Sequence, residues 1–215
     1  MKLSALQNIS YGLYVVGAYC DGKPAGCIVN TCFQVTSEDP AIAVCLNKKN
    51  FTLEAIKQST RFSVSIVAED TDPAIIGRFG FSSGADKYAG FGYDDIDGAP
   101  AVRGHFCGRL ILDAFNFIDC GTHVIVLGRL ADSRDGEGRP MTYSYYHTVV
   151  KGKEPATAPT YRQEEKQASE KESSHIRRFE CDVCGYVAEC DGDLPEDYIC
   201  PICGVDRSHF FEITE

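Results

Sequence analysis

Four cysteines near the C-terminal end constrain this chain more than any other feature. They stand as Cys181-Asp182-Val183-Cys184-Gly185 and Cys200-Pro201-Ile202-Cys203-Gly204, with fifteen residues between Cys184 and Cys200. Two CxxC turns that face one another bring four thiolates to one tetrahedral metal ion. The glycine after each pair suits a tight turn that aims backbone N–H groups at the sulfurs. Such a set holds either structural zinc or a single redox-active iron, and spacing alone leaves both open. Tyr186, Tyr198, Phe179, Phe210 and Phe211 place aromatic rings around this small module. A domain of that size needs an aromatic core merely to fold. The same cover keeps water from a redox iron.

The chain of 215 residues is 44% hydrophobic, which leaves room for a good-sized core besides the cysteine module. Its eleven cysteines do not call for a secreted disulfide scaffold in a chain so rich in core residues. CxxC pairs here point to metal or redox chemistry in a reducing compartment. Cys20, Cys27, Cys32, Cys45, Cys107 and Cys120 show no ligand spacing and are expected as buried thiols acting as small hydrophobes. Cys190 lies between the CxxC pairs and is expected to be a spectator. No apolar run reaches the length of a membrane span, and Met1 to Asn8 lacks a signal-peptide core. A cytoplasmic protein without a membrane partner is expected.

The net charge is −10. Between Phe179 and Asp206 stand Glu180, Asp182, Glu189, Asp191, Asp193, Glu196, Asp197 and Asp206, with no Lys or Arg. Nucleic acid is not expected as a partner of that surface. A basic protein surface would be steered toward it, although a solvated acidic face is the plain alternative.

Three regions follow along the chain: residues 1–150, a segment 151–178 nearly devoid of core residues and read as a linker, and the cysteine module 179–215. A flexible linker of 28 residues has a reach of roughly 30 Å. In the first region Tyr14–Tyr19, Gly26–Asn30, Ala41–Leu46, Phe62–Val67, Leu110–Phe117 and His123–Leu127 read as strands rich in branched residues. Phe51–Ser59 reads as a helix capped by Asn50 or Thr52, and Asp72-Pro73 opens a second one. Many strands and few helices predict a mainly β, mostly antiparallel barrel. No Gly-x-Gly-x-x-Gly and no P-loop occurs, and Gly90-Phe91-Gly92 is a turn signal, so a Rossmann domain is not supported.

Two resemblances carry the reading further. The segments Phe179–Tyr186, Leu194–Val205 and Phe210–Ile213 resemble rubredoxin, in the form with a shortened middle loop found at the ends of rubrerythrins. The segments Cys27–Thr36, Pro40–Val44, Asn47–Thr52 and Phe79–Lys87 resemble, in that order, the flavin reductase family with its FMN-binding split barrel. The joint architecture is similar to that of the high-molecular-weight rubredoxins of anaerobic bacteria.

The resemblance implies one iron on Cys181, Cys184, Cys200 and Cys203, in preference to zinc, and FMN in the barrel. For the FMN phosphate, Asn50 and Thr52 open a helix whose N-terminus suits an anion, and Lys48 or Lys49 adds a cation beside Asn47. Ser82, Ser83, Gly84 and Lys87 form a second donor-rich turn. Asn30, Thr31 and Cys32 end an apolar strand where backbone groups can meet the edge of the flavin ring. The resemblance extends the site to His123. Each of these residues also has an ordinary structural role open to it: a surface lysine, a helix cap or a hydrogen-bonded core histidine. The resemblance further implies a homodimer, NADH or NADPH as electron donor, and a flavodiiron protein as electron acceptor. Two alternatives stay open at this point: a flavin reductase with a structural zinc ribbon, and a protein-to-protein relay without NAD(P)H activity.

Overall fold

A computed structural model describes residues 4–81, 86–150 and 176–213. The elements run β1 (Tyr14–Cys20), β2 (Lys23–Val29), β3 (Cys32–Gln34), β4 (Ala41–Asn47), α1 (Phe51–Ser59), β5 (Arg61–Val67), α2 (Pro73–Phe81), β6 (Tyr93–Ile96), β7 (Ala99–Val102), β8 (Phe106–Asp119), β9 (His123–Asp135), α3 (Tyr143–Thr148), β10 (Ile176–Cys181), β11 (Val187–Asp191) and β12 (Phe210–Glu212). The six strands expected from branched-residue runs all form. The pairs β8 and β9 extend well past the expected limits, because each supplies the other with ladder partners from Gly108↔Asp135 to Asp119↔Val124.

Seven strands form one antiparallel sheet in the order β2-β1-β5-β8-β9-β4-β3. Its two edges, β2 and β3, are consecutive in the chain and joined only by Asn30 and Thr31. Two residues span at most about 7 Å. The sheet must therefore curl until its edges meet, which makes it a barrel with a seam. Residues 30–32, predicted to meet a flavin, lie at that seam.

The barrel is filled from one side by Val16, Ile42, Val44, Leu46, Phe62, Val64, Leu112 and Val126, against which α1 lays Leu53, Ala55 and Ile56. Full burial of a Leu, Ile or Phe contributes roughly 1.5–3 kcal/mol each. Helix α1 starts where the Asn50 side chain accepts from the Thr52 N–H at 3.1 Å. It stops at Thr60, whose backbone is left-handed and whose N–H bonds Ile56 O. A second cluster holds Leu13, Val15, Val67, Phe106 and Tyr146 together with Ile75, Ile76 and Phe79 of α2. As expected, Asp72 caps α2, its carboxylate accepting from the Ala74 N–H at 2.9 Å. The sequence reading did not foresee β3, the β6–β7 hairpin or α3.

The C-terminal domain is a small sheet in the order β11-β10-β12. Strand β10 begins at Ile176, so three residues assigned to the linker belong to this sheet. The rest of that assignment, 151–175, lies outside the described residues. Phe179, Ala188 and Leu194 form the domain's core with Tyr186, Tyr198 and Phe210 packed on it. Phe211 is the exception among the five expected aromatics: it is half exposed, because on β12 it points away from the face that Phe210 covers.

Candidate functional site

The metal centre is built from two loops of the same shape. In the first, the Cys181 N–H bonds Tyr186 O and the Gly185 N–H bonds Cys181 O; in the second, the Cys200 N–H bonds Val205 O and the Gly204 N–H bonds Cys200 O. Gly185 and Gly204 share a φ of 72°, a left-handed conformation that a side chain opposes. The turns aim further N–H groups at sulfur: Tyr186 at Cys184, Ile202 and Cys203 at Cys200, and Val205 at Cys203. Such donors favour the thiolate over the thiol.

The four Sγ atoms lie within 4.8 Å of one another. Cys181 and Cys203 stand 3.6 Å apart and Cys184 and Cys200 3.5 Å apart. A tetrahedron with metal–sulfur bonds of about 2.3 Å has sulfur–sulfur edges of about 3.8 Å, so the arrangement fits a four-thiolate metal ion. Cys190 takes no part; its thiol donates to Gly192 O at 3.2 Å. Part of the acidic surface is neutralised by two arginines just before the counted stretch. Arg177 pairs with Asp193 and Glu212, and Arg178 approaches Glu189. Glu196 and Asp197 remain exposed.

In the barrel, Asn30, Thr31 and Cys32 lie at the seam between β2 and β3. The Cys45 N–H bonds Thr31 O, and the Thr31 hydroxyl donates to the Asn30 carboxamide at 3.0 Å. Asn30 is buried. Cys32, the first residue of β3, pairs with Val44 of β4, and burial pushes its thiol up to about 12. One turn along, the Asn50 N–H bonds Asn47 O, and Asn47 is the register partner of His123. The His123 ring is hydrogen-bonded to the Thr122 hydroxyl at 2.9 Å.

The tightest cluster forms beneath the start of α1. Thr52, Asn50 and Lys87 all approach the Cys27 thiol. Cys27 and Thr52 are buried to 1% exposure. Burial pushes the Cys27 thiol up despite those donors, so it stays a neutral floor for the cluster. Burial also lowers Lys87 below the ordinary lysine range, with Cys27 opposing that shift. Its ammonium donates to Phe79 O, near the end of α2, at 3.1 Å. A helix N-terminus, a carboxamide, a hydroxyl and a half-buried cation make a donor set that suits a phosphate.

The structure separates the lysines that sequence grouped. Lys48 Nζ lies 2.6 Å from Asp119 at the exposed end of β8, and Lys49 is exposed; Lys87 is the cation inside the cluster. Ser82, Ser83 and Gly84 lie outside the described residues. Sequence reading set Cys27 aside as a plain hydrophobe; its place two residues before Val29 on the seam strand was the signal that it adjoins the site. The expectation that the remaining barrel thiols are buried holds for Cys27 alone. Cys120 is exposed and Cys20, Cys32, Cys45 and Cys107 are partly buried, because they stand at strand ends and on outward faces.

Residues 6–152 match the flavin reductase like domain and residues 179–211 the rubrerythrin, rubredoxin-like domain. The chain belongs to the flavin reductase family. It is 37% identical to high molecular weight rubredoxin of Moorella thermoacetica over 99% of this chain and 100% of that one. It is 41% identical to ferric-chelate reductase (NAD(P)H) of Archaeoglobus fulgidus over 75% of this chain and 98% of that one. Among solved structures, nitrilotriacetate monooxygenase component B from Mycobacterium thermoresistibile shares the barrel fold, with a TM-score of 0.58, 25% identity, and coverage of 64% of this chain and 78% of that one. The flavin reductase domain and its rubredoxin-like partner thus form one oxidoreductase chain with the architecture of a high molecular weight rubredoxin. Among the described residues, no helix is long and apolar enough to cross a membrane.

Proposed function

We propose that this chain carries electrons from NADH or NADPH through FMN to an iron on Cys181, Cys184, Cys200 and Cys203, and on to a soluble redox partner. The observation that carries this reading is a four-thiolate centre, with sulfurs 3.5–3.6 Å apart in opposed pairs, on the same chain as a flavin reductase barrel. Flavin, when bound, supplies exchange between two-electron and one-electron chemistry, and iron supplies a one-electron store. A hydride from NAD(P)H would bring two electrons and leave NAD(P)+, and a single iron held by the four cysteines would accept them one at a time.

The chain's own residues then have defined tasks. Asn50, Thr52 and Lys87 hold the phosphate, and the single phosphate of FMN, with about two charges, suits this cluster. Asn30, Thr31 and Cys32 present the seam to the ring, with Asn47 and His123 at its side. The N–H···S bonds raise the iron potential, while nearby carboxylates lower it. The ferric-chelate reductase relative, whose name specifies NAD(P)H, supports the nicotinamide donor.

The acceptor is a protein such as a flavodiiron oxygen or nitric oxide reductase, docking near exposed Glu196, Asp197 and Ile199. Exposed Phe115, Phe117 and Ile118 at the end of β8 support a homodimer in which a second copy covers them. Two CxxC turns whose thiolates must stay reduced to hold a metal suit a cytoplasmic setting. The test is anaerobic mixing of the metal-analysed protein with NADH and with NADPH. Loss of both flavin and ferric absorbance is expected. Flavin bleaching beside zinc would leave a plain flavin reductase, and no bleaching would leave a relay fed by another protein.

A further inference from the structure

We propose that α2 is the seat on which the rubredoxin-like domain takes up its electron, with Gly77 as the notch that admits Cys203. This rests on the flavin-to-iron reading above and adds where the two domains meet. Ala74, Gly77 and Phe81 recur at helical spacing and share one face of α2. Ile75, Ile76 and Phe79 of the same helix are turned into the barrel core. A Cβ placed on Gly77 would stand 2.5 Å from Cys203 Cβ, 2.7 Å from Cys203 Cα and 3.0 Å from Ile202 O. No side chain fits there without moving the second cysteine turn.

The contact is reciprocal. A Cβ on Gly204 would meet Ala74 Cβ at 3.7 Å. Phe81, the last residue of α2, and Val150 pack against the cluster of Cys181, Cys184, Cys200 and Ile202. Tyr146 of α3 is buried and close enough to sense charge on Cys184, Cys200 and Cys203. Glycine is disfavoured inside helices relative to alanine, so Gly77 calls for a packing reason, and the close approach of Cys203 supplies one. Gly80 differs: its Cβ would meet only Ile28, at 3.8 Å.

Helix α2 also touches the other cofactor's residues. Lys87 bonds Phe79 O, so the helix that seats the cysteine turn also braces the phosphate cluster. With both groups bound, this seat would let one electron pass from reduced flavin to ferric iron, giving ferrous iron; any proton released would go to solvent, and no bond at the cysteines would form or break. The partner must remove that electron before the second one follows.

The test compares Gly77→Leu with Gly80→Ala in the full-length, iron-loaded protein. Hydrogen exchange is followed in residues 73–81 and 200–204, and stopped-flow absorbance follows the flavin and the ferric iron after NADH. Leucine is the better helix former, so faster exchange in α2 would report undocking and not a weakened helix. Gly77→Leu should exchange faster in both segments and reduce iron at least tenfold more slowly. Its flavin reduction and ferric spectrum should match the wild type, as should Gly80→Ala in every respect. Gly77→Ala repeats the measurement should leucine disturb the barrel. Wild-type exchange in the Gly77 variants, or the same loss in Gly80→Ala, would overturn the seat. Wild-type iron that NADH never reduces would sink the electron-transfer reading instead, while the exchange comparison still decides the docking.

Discussion

In the C-terminal domain, all four ligands come from two turns of one shape, each closed by its own backbone bonds and a left-handed glycine. In the barrel, the donor cluster draws on β2, the start of α1 and the turn after α2, and no two of those segments are neighbours in the chain. The first site is local and repeats itself. The second exists only once the sheet has closed. The difference teaches what each can lose: a local site fails when one ligand goes, whereas a site assembled at a seam loses affinity by degrees.

The largest effect expected from this contrast is Cys184→Ser. Four-thiolate sites in small domains contribute on the order of 10 kcal/mol to folding. The variant should lose its metal and melt residues 176–213, with the barrel still folded and flavin reduction by NAD(P)H retained. Metal analysis with circular dichroism checks this; loss of flavin reduction in a folded barrel would show that the sites are not independent.

Next comes Lys87→Ala, which removes a charge-assisted bond worth about 1.5–3 kcal/mol. FMN should bind roughly tenfold to a hundredfold more weakly, read by flavin fluorescence titration. The same residue sets a pH dependence. Burial holds Lys87 below its usual range, so the empty folded state binds fewer protons there than the unfolded chain. Stability of the empty protein from this group therefore rises as pH climbs through that window. Phosphate needs the protonated form, so FMN retention should fall as pH rises through the lowered value, and Lys87→Ala should remove that dependence.

A smaller effect sharpens the likeness of the two cysteine turns. Gly185→Ala forces a methyl into a backbone with φ 72°, at about 1–2 kcal/mol. The metal-loaded domain should melt at a lower temperature, yet keep its metal. The smallest effect belongs to Lys48→Ala. Lys48 meets Asp119 at an exposed site, where solvent screening leaves such pairs weak. FMN affinity should change less than twofold; a tenfold loss would move Lys48 into the phosphate site and blur the distinction from Lys87.

How far the sites were legible follows the same division. Cys181, Cys184, Cys200 and Cys203 were readable because ligand spacing within a turn is a property of sequence. The glycines after them were readable for the same reason. Asn50 was readable as a helix cap, and the structure confirms that bond. Which lysine belongs to the cluster was not, since Lys48, Lys49 and Lys87 look alike until burial sorts them. Cys27 was passed over because a lone cysteine in an apolar strand carries no spacing signal. Phe211 was counted with the aromatic cover because period-two alternation on so short a strand leaves its inward face undetermined until β10 pairs with it.

Sequence by itself determined the set of metal ligands, six of the barrel's seven strands and the caps of α1 and α2, since propensity, periodicity and spacing act over a few residues. Tertiary structure decided the rest. Two residues between opposite sheet edges force the seam that gathers Asn30, Thr31 and Cys32. Burial selects Lys87. The approach of Cys203 to Gly77 arises between segments more than a hundred residues apart, where only packing in three dimensions sets who meets whom.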